Sequence, residues 1–186
     1  MKKKKPGMNP RVGVSLALAA LAASVHADSW SATAFVAEGG VTVHGTYSLT
    51  AGVTLPSTWH RTSHNGEWTA YTEFFVSHWG AKLGGRRESF TQFGVMPVLR
   101  YRLDHGGSPW FAEGGVGLSY LDGLYQRDHK RFSTRFNFND VLGVGRSFGD
   151  RREHEVTLRL VHISNAGIKE PNPGENFVQL RYARQF

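Results

Sequence analysis

The stretch that decides the fold is the last one, Phe177-Val178-Gln179-Leu180-Arg181-Tyr182-Ala183-Arg184-Gln185-Phe186. Val178, Leu180, Tyr182 and Phe186 fall on one parity, and Gln179, Arg181, Ala183 and Gln185 on the other. Successive side chains of a strand point to opposite faces, so this segment reads as a strand with one apolar and one polar face. The segment before it repeats the contrast, with Val156, Leu158 and Leu160 against Thr157, Arg159 and Val161. So does the one before that, with Leu142, Val144 and Phe148 against Asn139, Gly143, Gly145 and Ser147.

Working outward, period-two alternation broken by Gly, Asn, Asp and Pro recurs over 30–37, 44–55, 66–79, 88–103, 109–121, 134–148, 153–164 and 175–186. No helical periodicity interrupts it. Short links at 104–108 and 149–152 mostly alternate with longer ones at 56–65, 122–133 and 165–174. Eight antiparallel strands in one domain over 28–186, closed as a β-barrel, satisfy this rhythm. A soluble sandwich or a lipocalin-like barrel would alternate as well, with its apolar face inward. Three features favour the inside-out, outer-membrane type: an export leader, a terminal aromatic residue (Phe186), and aromatics at strand ends (Trp79, Phe148, Tyr182, Phe186).

The leader is Met1–Ala27. Lys2, Lys3, Lys4, Lys5 and Arg11 form a basic head, Val12–Val25 an apolar stretch, and Val25-His26-Ala27 a small-residue cleavage site. This is the three-part layout of a secretory signal peptide. The formal net charge of +7, from 22 basic against 15 acidic residues, first invites a nucleic-acid partner. Removing the leader takes five basic residues and no acidic ones, which leaves 17 against 15, or +2. The charge therefore reports a destination and no nucleic-acid partner is expected. The chain has no cysteine, which excludes disulfides, cysteine-ligated zinc and thiol catalysis. Its scattered histidines (His44, His60, His64, His78, His105, His129, His154) have no zinc-ligand spacing, so neither a metal nor a cofactor is expected.

One polar cluster breaks the apolar parity. Following Val156, Leu158 and Leu160 upward brings His162 and then Ser164 onto the same face. Residues i and i+2 are neighbours there, near enough for an imidazole to take a proton from a hydroxyl. Two acids are available to orient the base. Glu175 follows the loop 165–174, and Asp140 shares the outward parity. If Phe148 pairs with His154 across the turn at 149–152, Asp140 lies opposite His162. These are the ingredients of a serine hydrolase, though H-x-S alone is a common pattern for a barrel rim.

The run His162-Ile163-Ser164-Asn165-Ala166-Gly167-Ile168-Lys169, with Pro171-Asn172 after it and the glycine-containing strand 136–145 before it, resembles the outer-membrane lipid A 3-O-deacylases, the PagL family. The resemblance is specific over about the last 50 residues and loose before them. It implies an eight-stranded barrel that hydrolyses the ester holding the acyl chain at the 3-position of lipid A, with a Ser-His-Glu triad on its lipid-facing wall. His162 resembles the general base and Ser164 the nucleophile. The family's glutamate stands 14 residues after the histidine; here Glu175 stands 13 after it and Asn176 occupies the matching place. Glu175 is the first choice for the acid by resemblance and Asp140 the alternative. In a regular strand Glu175 would face inward with Phe177 and Gln179, so it reaches His162 only if the loop exit or a bulge re-aims it.

Asn165 and the backbone N–H groups of 165–167 are the oxyanion candidates, with turn formation an equal reading of Asn165. Lys169 could pair with a lipid A phosphate or remain a solvated loop lysine. The partners implied are lipid A or lipopolysaccharide and the outer membrane, with a homodimer left open. The rival reading is a non-enzymatic barrel, structural, adhesive or ligand-binding, in which Ser164→Ala would change nothing in the lipid.

Overall fold

The structure, a computed structural model, describes residues 33–186. The signal segment expected over 1–27 and the start of the first expected strand lie outside the described residues. Eight strands close into an antiparallel barrel: β1 (Ala34–Val41), β2 (Tyr47–Ser63), β3 (Gly66–Leu83), β4 (Arg86–Leu103), β5 (Trp110–Leu121), β8 (Phe136–Phe148), β9 (His154–Ser164) and β10 (Glu175–Gln185). Closure comes from β1 pairing with both β2 and β10. Between β5 and β8 the chain forms a small separate hairpin, β6 (Gln126–Arg127) and β7 (Lys130–Arg131). The chain end and Thr33 meet at one end of the barrel, where Phe186 N donates to Thr33 O (3.2 Å). The loop 165–174 and the β6–β7 hairpin lie at the other, here called the loop end.

Strand boundaries differ from the sequence reading, among them those of the β2–β3 and β3–β4 hairpins. The expected link 56–65 is mostly strand: β2 runs on to Ser63 and turns at His64-Asn65. Pro56 lacks an N–H, and the chain accommodates it as a bulge, with the register to β3 shifting between Pro56 and His60. The β3–β4 hairpin also reaches further than expected, to Leu83 and Arg86. Gly84 and Gly85 both take positive φ (58° and 79°), as a two-residue turn of primed type requires.

The wall is apolar outside and charged inside. Leu142, Leu160 and Leu180 are 69, 60 and 60 % exposed, whereas Arg159 and Arg181 are each 1 % exposed. That is the reverse of a water-soluble protein and is the arrangement of a barrel surrounded by lipid. Inside, Arg159 bonds Glu38 (3.1 Å), Glu73 (3.2 Å), Glu113 (2.8 Å) and the Tyr71 hydroxyl (2.9 Å). Arg181 bonds Glu73 (2.9 Å), and Arg100 joins Glu113 (2.9 Å) to Glu155 (2.8 Å). These pairs fill the lumen, so the barrel is a packed body.

Of the expected interfacial aromatics, Phe148, Tyr182 and Phe186 do face outward (42, 40 and 70 % exposed). Phe148 and Tyr182 both stack on His154, and Phe186 packs on Phe35 (centroids 4.9 Å apart). Trp79 is a correction. It shares the inward parity of Glu73 and Ser77, is 1 % exposed, and packs against Tyr125 and Phe177 under the loop end.

Candidate functional site

The β8–β9 ladder holds the register in which Phe148 faces His154, so Asp140 lies directly opposite His162 and Phe138 opposite Ser164. On the other side of β9, Asn176 of β10 pairs with His162. Three neighbouring strands thus bring Asp140, His162, Ser164 and Asn176 to one outward patch at the loop end. Below it the wall is purely apolar, with Leu142, Leu158, Leu160, Val178 and Leu180 exposed.

The imidazole is held from two directions. Its Nδ1 lies 2.7 Å from Asn176 Oδ1. Its Cε1 edge lies against the backbone of Gly174, where an added Cβ would come within 2.6 Å of it. Gly174 also has φ +60°, a conformation that glycine adopts without strain. Among the described residues Nε2 makes no hydrogen bond, and none joins His162 to Ser164. The hydroxyl of Ser164, only 9 % exposed, accepts a long bond from Ala166 N (3.4 Å). Ala166 (φ 54°) and Gly167 (φ 78°) both turn left-handed, which curls the chain back over the serine.

Glu175 is not brought to this patch. It pairs in register with Ile163, faces inward and is 2 % exposed. Oε2 accepts from Tyr125 (2.8 Å) and Arg127 (2.9 Å), and Oε1 accepts from Lys130 (3.1 Å). No bulge re-aims it, because β10 is regular from its first residue. What Glu175 does is anchor the β6–β7 hairpin over the barrel mouth. Lys130 also donates to the Gly174 carbonyl (2.6 Å), and Tyr125 is fully buried among Trp79, Phe90 and Phe132. Burial in that loop pushes the Tyr125 phenol well above its ordinary range, so it stays a hydrogen-bond donor.

Asn165 has all its polar groups engaged. Nδ2 donates to Ser133 Oγ (2.9 Å) and to Lys169 O (2.7 Å), Oδ1 accepts from Gly167 N (2.9 Å), and its own N–H goes to Asn172 Oδ1 (3.0 Å). It is 2 % exposed and builds the loop, which corresponds to the turn-forming reading of this residue. Lys169 lies on the exposed part of that loop. Sequence reasoning had weighed neither Gly174 nor the anchoring trio Tyr125, Arg127 and Lys130. The parity that turns Glu175 inward was the available signal that something inside must hold its charge.

Comparison with known proteins finds relatives over most of the chain. A family model described as "Lipid A 3-O-deacylase (PagL)" matches residues 45–185. The chain is 33 % identical over 156 residues to the lipid A deacylase PagL of Bordetella bronchiseptica, covering 80 % of this chain and 84 % of that one. It is 31 % identical over 170 residues to the lipid A deacylase PagL of Pseudomonas aeruginosa, covering 90 % and 94 %. Among solved structures it is similar to one titled "Crystal structure of the outer membrane enzyme PagL", with a TM-score of 0.71 and 24 % identity over 82 % of this chain and 99 % of that one.

Proposed function

This chain belongs to the lipid A 3-O-deacylase (PagL) family, and from that premise we propose that it is an outer-membrane lipid A deacylase working through Ser164, His162 and Asp140. The observation that carries the residue assignment is the register of β8 and β9. It sets a carboxylate opposite the histidine and keeps the histidine beside the serine, on an otherwise apolar wall.

In the proposed reaction His162 Nε2 takes the proton of Ser164 as Oγ attacks the ester carbonyl carbon at the 3-position. The tetrahedral adduct collapses, and the departing sugar oxygen takes the proton back from the imidazolium. Water then gives a proton to His162 and attacks the acyl-enzyme; the second adduct collapses, releasing the fatty acid as Ser164 Oγ takes that proton back from the imidazolium. Asp140 stabilises the imidazolium in both halves. The developing oxyanion is met by the Ala166 N–H, which already points at Ser164 Oγ, since the Asn165 amide is committed to its loop.

We place the loop end at the extracellular leaflet, where lipid A esters lie near the head-group boundary. The leader expected over 1–27 delivers the chain to that membrane. All four patch residues come from one chain, so the reading needs no second copy.

The test is mass spectrometry of lipid A from cells with and without the protein. Loss of one 3-hydroxyacyl chain is expected with the wild type, and none with Ser164→Ala in an assembled barrel. Unchanged lipid A with a correctly assembled wild-type barrel would refute the reading and favour a non-enzymatic barrel.

A further inference from the structure

We infer that the orienting of the base is divided between two side chains: Asn176, a neutral amide, fixes the tautomer of His162, while Asp140 alone supplies the charge. This rests on the reading of Ser164 and His162 as nucleophile and base. It departs from a three-member Ser-His-acid arrangement, in which one carboxylate does both.

The hydrogen bond decides the first half. Asn176 Oδ1 is a carbonyl oxygen and can only accept, so at 2.7 Å Nδ1 must carry the hydrogen. Nε2 is then left with the lone pair, which is the form a general base needs. The Gly174 backbone against the Cε1 edge removes the remaining freedom of the ring. Asn176 brings no charge, so it stabilises neutral imidazole and imidazolium nearly alike. It positions the base, and it does not touch substrate.

Register decides the second half. On the strands packed against β9, the outward neighbours of His162 are Asp140 on β8 and Asn176 on β10. Leu160 and Ser164 flank it on β9 itself. From the loop, Gly174 lies on the ring, Glu170 bonds the Asn172 N–H (2.9 Å), and Lys169 and Glu170 are exposed. Glu175 is spent on Tyr125, Arg127 and Lys130 inside the barrel. Among the described residues Asp140 is thus the one ionisable side chain in register with His162. A carboxylate there attracts the imidazolium that forms during the reaction, which the neutral Asn176 amide does not.

A charge exchange tests both halves. Initial rates of acyl release from lipid A in detergent micelles are measured against pH for purified barrels. Each variant is first checked for the wild-type gel shift between folded and heat-denatured forms. Asn176→Ala should lower kcat on the order of 100-fold with KM nearly unchanged, as loss of an orienting group does. Asn176→Asp accepts the same hydrogen bond and should recover most of the rate. Its added negative charge should move the acid limb of the profile up by about one pH unit. Asp140→Asn should move that limb down. The double variant Asn176→Asp with Asp140→Asn exchanges the two chemistries and should return the limb to near its wild-type position. A fully active Asn176→Ala, or an Asn176→Asp that stays as slow as the alanine or leaves the limb unmoved, overturns the role of Asn176. An unmoved limb in Asp140→Asn overturns that of Asp140. Wild type and Ser164→Ala run in parallel separate these outcomes from failure of the hydrolase reading itself, since that reading fails if the wild-type barrel is inactive or if Ser164→Ala retains its activity.

Discussion

Asp140 and His162 face each other across β8 and β9, with the ladder intact on both sides, from Phe138 opposite Ser164 down to Phe148 opposite His154. On the proposed reading that relationship makes Asp140 the carboxylate that serves the base. Glu175→Gln keeps the shape of the buried anchor and should leave the chemical step within a few-fold of wild type, whereas Asp140→Asn should lower kcat at neutral pH by at least 10-fold. Rates of acyl release from assembled barrels distinguish the two. The reverse ranking would return the role to Glu175.

Gly174→Ala should disable the site without unmaking the barrel. The new methyl meets His162 and the backbone is held at φ +60°, at a cost of roughly 1–2 kcal/mol to the segment. Activity should fall at least tenfold while the gel shift between folded and heat-denatured forms is kept. An active Gly174→Ala would show that the imidazole does not need that backbone.

Asn165→Ala should act through the loop. It orphans contacts to Ser133, Lys169 and Gly167, each worth about 1 kcal/mol net. Limited proteolysis should cut within 165–174 more readily, and activity should drop with it. Loss of activity with unchanged proteolysis would point instead to a direct role at the oxyanion.

Arg159→Met leaves Glu38, Glu73 and Glu113 without their shared cation. Breaking a buried pair in this way costs about 3–5 kcal/mol. The urea midpoint of unfolding from detergent should fall accordingly. A small shift would mean that the lumen admits enough water to solvate the carboxylates.

Leu158→Arg puts a charge on the apolar wall halfway along β9, at a cost of about 2–4 kcal/mol if that height is the bilayer midplane. Arg146, already outward near the chain-end rim and over Trp110 (5.7 Å), should be neutral to Arg146→Gln. Comparing refolding yields into lipid vesicles for the two positions maps the depth of the wall. Equal yields would move the membrane band.

Much of this was legible in the sequence. Parity in β8, β9 and β10 gave the wall, and a Phe148–His154 pairing across the turn at 149–152 gave Asp140 opposite His162. The H-x-S-N-A-G run pointed to the family. What parity also said, and resemblance overrode, was that Glu175 points inward; one residue of offset in a strand is a change of face. The role of Gly174 was not readable, because a glycine between loop and strand looks the same whether it serves the turn or the ring lying upon it. Trp79 was misplaced by its position near a strand end, although its parity with Glu73 and Ser77 was plain. The bulge at Pro56 was hidden because a proline in a strand pattern signals interruption equally well as a loop.

On the proposed reading the filled lumen and the outward patch together set the dimensionality of the reaction. A lipid reaches such a wall only by moving in the plane of its leaflet, so the encounter is two-dimensional. The quantity that governs the rate is then the fraction of that surface occupied by substrate, and diluting the assay in bulk water at constant micelle composition should leave it unchanged. Adding inert detergent should slow it.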